Sequence, residues 1–180
     1  MEIVKCKGRP FLLAGGIESA ISVLSNCPHH IVIAISAGLP FLPEAFGSSR
    51  LISIGLHDLV PANAVRAWRS SGAHFVPVIG PEDFDKRLSD VIGAMEKGAR
   101  AVLLLDVGVV DTGYAAATSS VNVGGLAAID VVDAVETISR HLCIVGFASV
   151  GLNADLDPRG HTELMVAAAV DAASDPAAGS

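Results

Sequence analysis

The sequence predicts an α/β fold with three layers, α/β/α, around a mostly parallel sheet of about six strands. Two observations predict it. Six short runs are nearly continuous in apolar residues and do not alternate with polar ones, the mark of strands covered on both faces. Between several of them lie segments with helix start and stop residues, and strands alternating with helices return the chain to the same edge each time, making a parallel sheet.

The strands are expected at "FLLAG" (11–15), "HIVIAIS" (30–36), "RLISIG" (50–55), "HFVPVI" (74–79), "AVLLLD" (101–106) and "LCIVGFASV" (142–150). "PANAVRAWRSSG" (61–72) opens on a proline and closes on a glycine, the pairing that helix ends favour. "PEDFDKRLSDVIGAMEKG" (81–98) does the same, with acids in its first turn and Lys97 before Gly98, matching the helix dipole. Two more helices are expected over 127–141 and 161–174. There is no internal repeat and no linker, so residues 1–170 read as one domain. Residues 171–180, "DAASDPAAGS", read as a flexible tail of small and polar residues.

Hydrophobic residues make up 51% of the 180 and charged residues 17%, a globular composition. A net charge of −7 without a basic stripe excludes nucleic acid and anionic membrane as natural partners, since phosphates would be repelled. Cys6, Cys27 and Cys143 form neither a C-x-x-C pair nor a zinc spacing, which fits reduced thiols. The start "MEIVKCKGRP" lacks the apolar core of a signal peptide, and no run is long enough to span a bilayer. A cytoplasmic protein is the resulting expectation.

Ligands of such sheets bind at the carboxyl ends of the strands. That rule places Gly16–Ser19, Ser36–Pro40, His57, Asp106–Asp111 and Gly151–Asp155 on the rim that matters, and His29, His30 and His74 on the opposite one. "LLAGGIESA" offers backbone amides but matches neither dinucleotide nor P-loop spacing, and Glu18 would repel a phosphate. His57 is a possible base or ligand with no evident partner in sequence. Asp106 is the strongest single signal, because a strand-terminal carboxylate must face solvent, a cation or hydrogen-bond donors. Asp111 suits capping of backbone amides, and Asn153, Asp155, Asp157 and Thr162 suit turn and helix-cap roles.

The order of these motifs resembles the ureohydrolase family of arginase, agmatinase and formimidoylglutamase, from about residue 11 to 170. "DVGVVDTGYAAATSSVNVGGL" (106–126) lines up without gaps on the family's "DxDxxDPxFAPGxxTPxxGGL". "LLAGGIES" is similar to its "LGGDHS", "IVIAISAGLP" to its "VxxFDAHxD", and the segment from His141 to its closing strand, turn and helix. The resemblance implies an arginase-like fold, here short: the chain starts at what looks like the family's third strand. It also implies two manganese ions in a cluster of aspartates and histidines, with a bridging hydroxide attacking a guanidinium carbon.

Carried over residue by residue, that cluster is nearly gone. Ile17 and Glu18 replace the aspartate and histidine of the first motif, and Ser36, Gly38 and Pro40 occupy the ligand positions of the second. Asp106 keeps the first aspartate of the third motif, Gly108 replaces the second, and Asp111 matches its structural aspartate. Gly151 stands where the acid of the last turn belongs. The vacated ligand positions are thus Ser36, Gly38, Pro40 and Gly108, with Asp106 and Glu18 as residual acids.

The expectation is a pseudoenzyme without a cofactor, acting as a structural or regulatory partner. It would be a homo-oligomer, or a hetero-oligomer with a full-length ureohydrolase. An alternative is a divergent metal-dependent hydrolase of linear amidine or guanidino C–N bonds, with a rewired site of Glu18, His57 and Asp106. A small-molecule sensor in a more apolar cleft, lined in part by Ile17, Leu39 and Pro40, is a third reading. His57, Asp111 and Asn153 are the further cleft candidates.

Overall fold

The computed structural model describes residues 2–6, 9–13, 31–38, 51–57, 61–70, 72–78, 81–120 and 122–174. The elements run β1 (Glu2–Cys6), β2 (Arg9–Leu13), β3 (Ile31–Ile35), β4 (Leu51–Leu56), α1 (Ala62–Ser70), β5 (His74–Pro77), α2 (Pro81–Gly93), β6 (Arg100–Asp106), α3 (Ala128–His141), β7 (Cys143–Val150) and α4 (His161–Ser174). All seven strands join one sheet in the order β1-β2-β7-β6-β3-β4-β5. Every pairing is parallel except β1 with β2.

The six strands expected from apolar runs are therefore present, and β1 is an addition. "EIVKC" is five residues folded back antiparallel on β2, with Glu2 opposite Leu13 and Cys6 opposite Arg9. Only two residues separate the strands, and a hairpin needs no helical crossover to connect them. Such a strand leaves little trace in the spacing of strands and helices.

Both faces of the sheet are buried. Ile33, Ile35, Ile52, Ile54, Leu103, Leu105 and Phe147 point to one core. Their neighbours Val32, Ala34, Leu51, Val102, Leu104 and Ala148, no more than 1% exposed, point the other way. The first core is closed by three helices whose inward residues recur at helical spacing: Phe84, Leu88 and Ile92 on α2, Val131, Val135 and Ile138 on α3, and Met165, Val166 and Ala169 on α4.

α2 is shorter than expected, whereas α4 has the bounds expected for it, 161–174, and takes in the first residues of the segment expected as a tail. α2 stops at Gly93 rather than near Gly98. Ala94 to Ala99 form turns instead, and Gly98, at φ +78°, donates its N–H to the His141 carbonyl at 2.8 Å. That bond aligns the start of β6 with the end of α3. At the other end, Asp171–Ser174 belong to α4, and Ala173 and Ser174 are buried. The helix thus continues past the point where the tail was expected to begin.

Candidate functional site

β3 and β6 are neighbours in register, with Ile35 opposite Leu105. Ser36 and Asp106 therefore stand side by side at the carboxyl rim, although 70 residues separate them. The Ser36 hydroxyl donates to Asp106 Oδ2 at 3.0 Å. The Gly108 amide donates to Asp106 Oδ1 at 2.9 Å, so the aspartate caps the short 3-10 turn Val107–Val109. On the other side β7 pairs Val150 with Asp106 and leads into Gly151 at φ +78°. A Cβ at Gly151 would lie 2.9 Å from Asp106 Oδ1, and one at Gly108 3.1 Å from the same oxygen and 3.1 Å from Ser120 Cβ. The carboxylate is thus framed by Ser36 and two glycines.

Among the described residues, the other candidates make their hydrogen bonds elsewhere. Gly38 is exposed, with open space where a side chain would project. His57 donates its backbone N–H to the Ala37 carbonyl at 3.2 Å. Its ring lies against Gly124, and its Nδ1 is buried with no hydrogen-bond partner among the described residues. Asp111 accepts from the amides of Gly113 (2.8 Å) and Gly124 (2.7 Å). Those two bonds, Gly113 first, hold its carboxyl below the ordinary carboxylate range, against a small opposing effect of burial. Asn153 turns inward on its own 3-10 turn, accepting from the Asp155 amide at 3.3 Å. Glu18, Ile17, Leu39 and Pro40 lie outside the described residues.

Other residues matter more to the architecture of the rim. Asn122 is buried, and its side-chain amide donates to the carbonyls of Gly108 and Val109, both at 3.1 Å. It also exchanges bonds with Thr112. Gly125 is required beside it: a Cβ there would lie 2.5 Å from the Val109 carbonyl oxygen and 2.6 Å from Asn122 Nδ2. Buried Asp157 accepts from both the N–H (2.8 Å) and the hydroxyl (2.9 Å) of Thr162, and that hydroxyl in turn accepts from the Ala117 amide at 3.1 Å. Ala117 also accepts from the Asn153 amide at 2.7 Å. The loops after β6 and β7 are thereby tied together. The only sequence signal for Asn122 is a single polar residue between two valines ahead of a glycine pair.

A pair of dications needs several carboxylates to balance it. Among the described residues no three His, Cys, Asp or Glu side chains lie close enough to hold a metal ion. Asp106 also presents its oxygens to an O–H and an N–H, donors that would face a cation with the wrong polarity. The described side chains do not fit a binuclear manganese centre.

The arginase family profile matches residues 25–174. Among solved structures, the chain is similar to the agmatine ureohydrolase of Thermoplasma volcanium, with a TM-score of 0.78 and 20% identity over 94% of this chain and 62% of that one. It is similar to formimidoylglutamase from Bacillus subtilis, at 0.77 and 18% over 93% and 60%. It is similar to arginase from Bacillus cereus, at 0.72 and 17% over 92% and 70%. At such identities the likeness is one of fold. The chain spans less than two thirds of the length of the first two. No curated protein sequence matches it.

Proposed function

The chain belongs to the arginase family, and on that premise we propose that it is a non-catalytic member, a pseudoenzyme serving as a structural or regulatory partner in an oligomer. One observation carries the reading. The carboxylate that survives from the family's metal cluster, Asp106, takes its hydrogen bonds from Ser36 and Gly108, two of the positions where the resemblance implies metal ligands. What was a set of charge-bearing ligands around cations is here a neutral hydroxyl and a backbone amide around one acid. No bound water is activated in such an arrangement, because lowering its pKa requires the concentrated positive charge of the metals.

The test combines a manganese titration by calorimetry with hydrolysis assays on arginine, agmatine and formimidoylglutamate. No stoichiometric binding and no turnover are expected. Stoichiometric manganese with turnover would overturn the reading.

A rewired hydrolase using Glu18, His57 and Asp106 draws on one observation, the buried Nδ1 of His57 with no partner among the described residues, an atom able to take a ligand. It requires turnover that disappears in His57→Ala. Among the described residues no hydrogen bond joins His57 to Asp106. The non-catalytic reading is therefore the better supported.

A further inference from the structure

We propose that the carboxyl rim, with Tyr114, Val123, Ile129, Leu156 and Leu164 at its surface, docks a basic, amphipathic segment of a partner protein. This rests on the non-catalytic reading and names the chemistry of the partner it calls for. These five are the large hydrophobic residues exposed among those described, at 61%, 77%, 62%, 47% and 67%. All five fall at one end of the fold. Tyr114 and Val123 lie in the loop after β6, Leu156 in the turn after β7, and Ile129 and Leu164 in the first turns of α3 and α4. Apolar surface gathered at one end, rather than scattered, marks an interaction site.

The surface is held in shape. The Asp111 carboxylate bonds the amides of Gly113 and Gly124, pinning the residues next to Tyr114 and Val123 to one point. Ala117 bonds both Asn153 and Thr162, fixing the Leu156 and Leu164 segments against the same loop. A preorganised surface loses less entropy on binding.

Charge selects the partner. Ile129 adjoins Asp130, with Asp133 one turn further along α3, and Leu156 follows Asp155. Burial first, and then the negative charges of Glu136, Asp130 and Asp85, hold the Asp133 carboxyl above its ordinary value. A second copy of this chain docked rim to rim would set these acids against themselves, and anionic lipid or nucleic acid would be repelled. A segment with leucine-like residues on one face and Lys or Arg on the other fits both features.

The test uses the full chain at physiological salt and three synthetic helical peptides: Leu/Lys amphipathic, matched Leu/Glu, and a Ser/Lys peptide of equal charge. Binding of the Leu/Lys peptide at least tenfold tighter than either of the others is expected by calorimetry. Val123→Ser with Leu164→Ser should weaken it at least tenfold and leave Ser/Lys binding unchanged. Ile129→Ser supplies an independent variant, and circular dichroism reports whether each keeps the fold. Equal binding of Leu/Lys and Ser/Lys would mean net charge alone and would overturn the proposal. So would undiminished binding by folded variants, or self-association abolished by the same substitutions. None of these readouts involves metal or turnover, so failure here is distinguishable from failure of the non-catalytic reading and leaves that reading standing.

Discussion

Asp106 and Asp157 are two aspartates that accept hydrogen bonds from protein donors, and each yields a prediction. Asp106→Ala removes the acceptor for the Ser36 hydroxyl and the Gly108 amide. It is expected to cost about 1–3 kcal/mol, the usual penalty for stranded donors. Asp106→Asn keeps one carbonyl oxygen and should cost less. Neither variant should change the response of thermal stability to manganese, which separates a structural carboxylate from a ligand. The Asp157 carboxyl lies below the ordinary range chiefly because of the Thr162 N–H, helped by the Thr162 hydroxyl and His161, with burial opposing. A depressed carboxyl adds stability above its unfolded pKa of about 3.9, and that stability fades as pH falls through the folded value. Asp157→Asn should therefore lower the melting temperature at pH 7, and its curve should converge on that of the native chain in acid. Thr162→Val, which also strands the Ala117 amide, should cost about 1–3 kcal/mol at neutral pH, measured by denaturant unfolding.

At the scale of elements, stability follows place in the sheet. β6 is paired on both sides over most of its length, with β3 and with β7, and its residues Ala101 to Leu105 are no more than 1% exposed. β5 is four residues long, pairs with β4 alone among the described strands, and ends on Pro77, which has no N–H to offer. Hydrogen exchange should accordingly be slowest in β3, β6 and β7, near the global unfolding limit, and fast in β5 and β1. Equal protection across the sheet would contradict this ranking. On α3, Ile138 is fully buried, and Ile138→Ala should cost about 2–5 kcal/mol. The exposed face of α1 should tolerate substitution at Arg66 or Arg69 within about 0.5 kcal/mol.

For the molecule as a whole, the fold is the level at which the family is recognised. The parallel sheet with flanking helices matches the arginase-like α/β fold. Among the described residues, the carboxyl rim bears Asp106 held by Ser36 and Gly108, together with exposed apolar residues. If the chain is non-catalytic, saturating manganese should leave its melting temperature unmoved, since a ligand stabilises only in proportion to its binding to the folded state. Among the described residues no helix is long and apolar enough to cross a membrane.

The sequence by itself determined the strands whose residues are apolar on both faces, the four helices with proline, glycine or charge at their ends, and the rim to which Asp106 belongs. These are local consequences of composition and period, readable because burial on two faces leaves no room for polar residues. β1 escaped this reading, since a hairpin strand of mixed character has no crossover to announce it. The tertiary structure alone decided what Asp106 does. Only the register of β3 on β6 brings Ser36 to its carboxylate, and only the turn at Gly151 brings a second bare backbone against it. The same holds for Asn122, whose two carbonyl partners lie 13 and 14 residues back along the chain. A hydrogen bond depends on position to within a fraction of an ångström, and positions that fine are fixed by packing between distant segments rather than by any residue's own preferences.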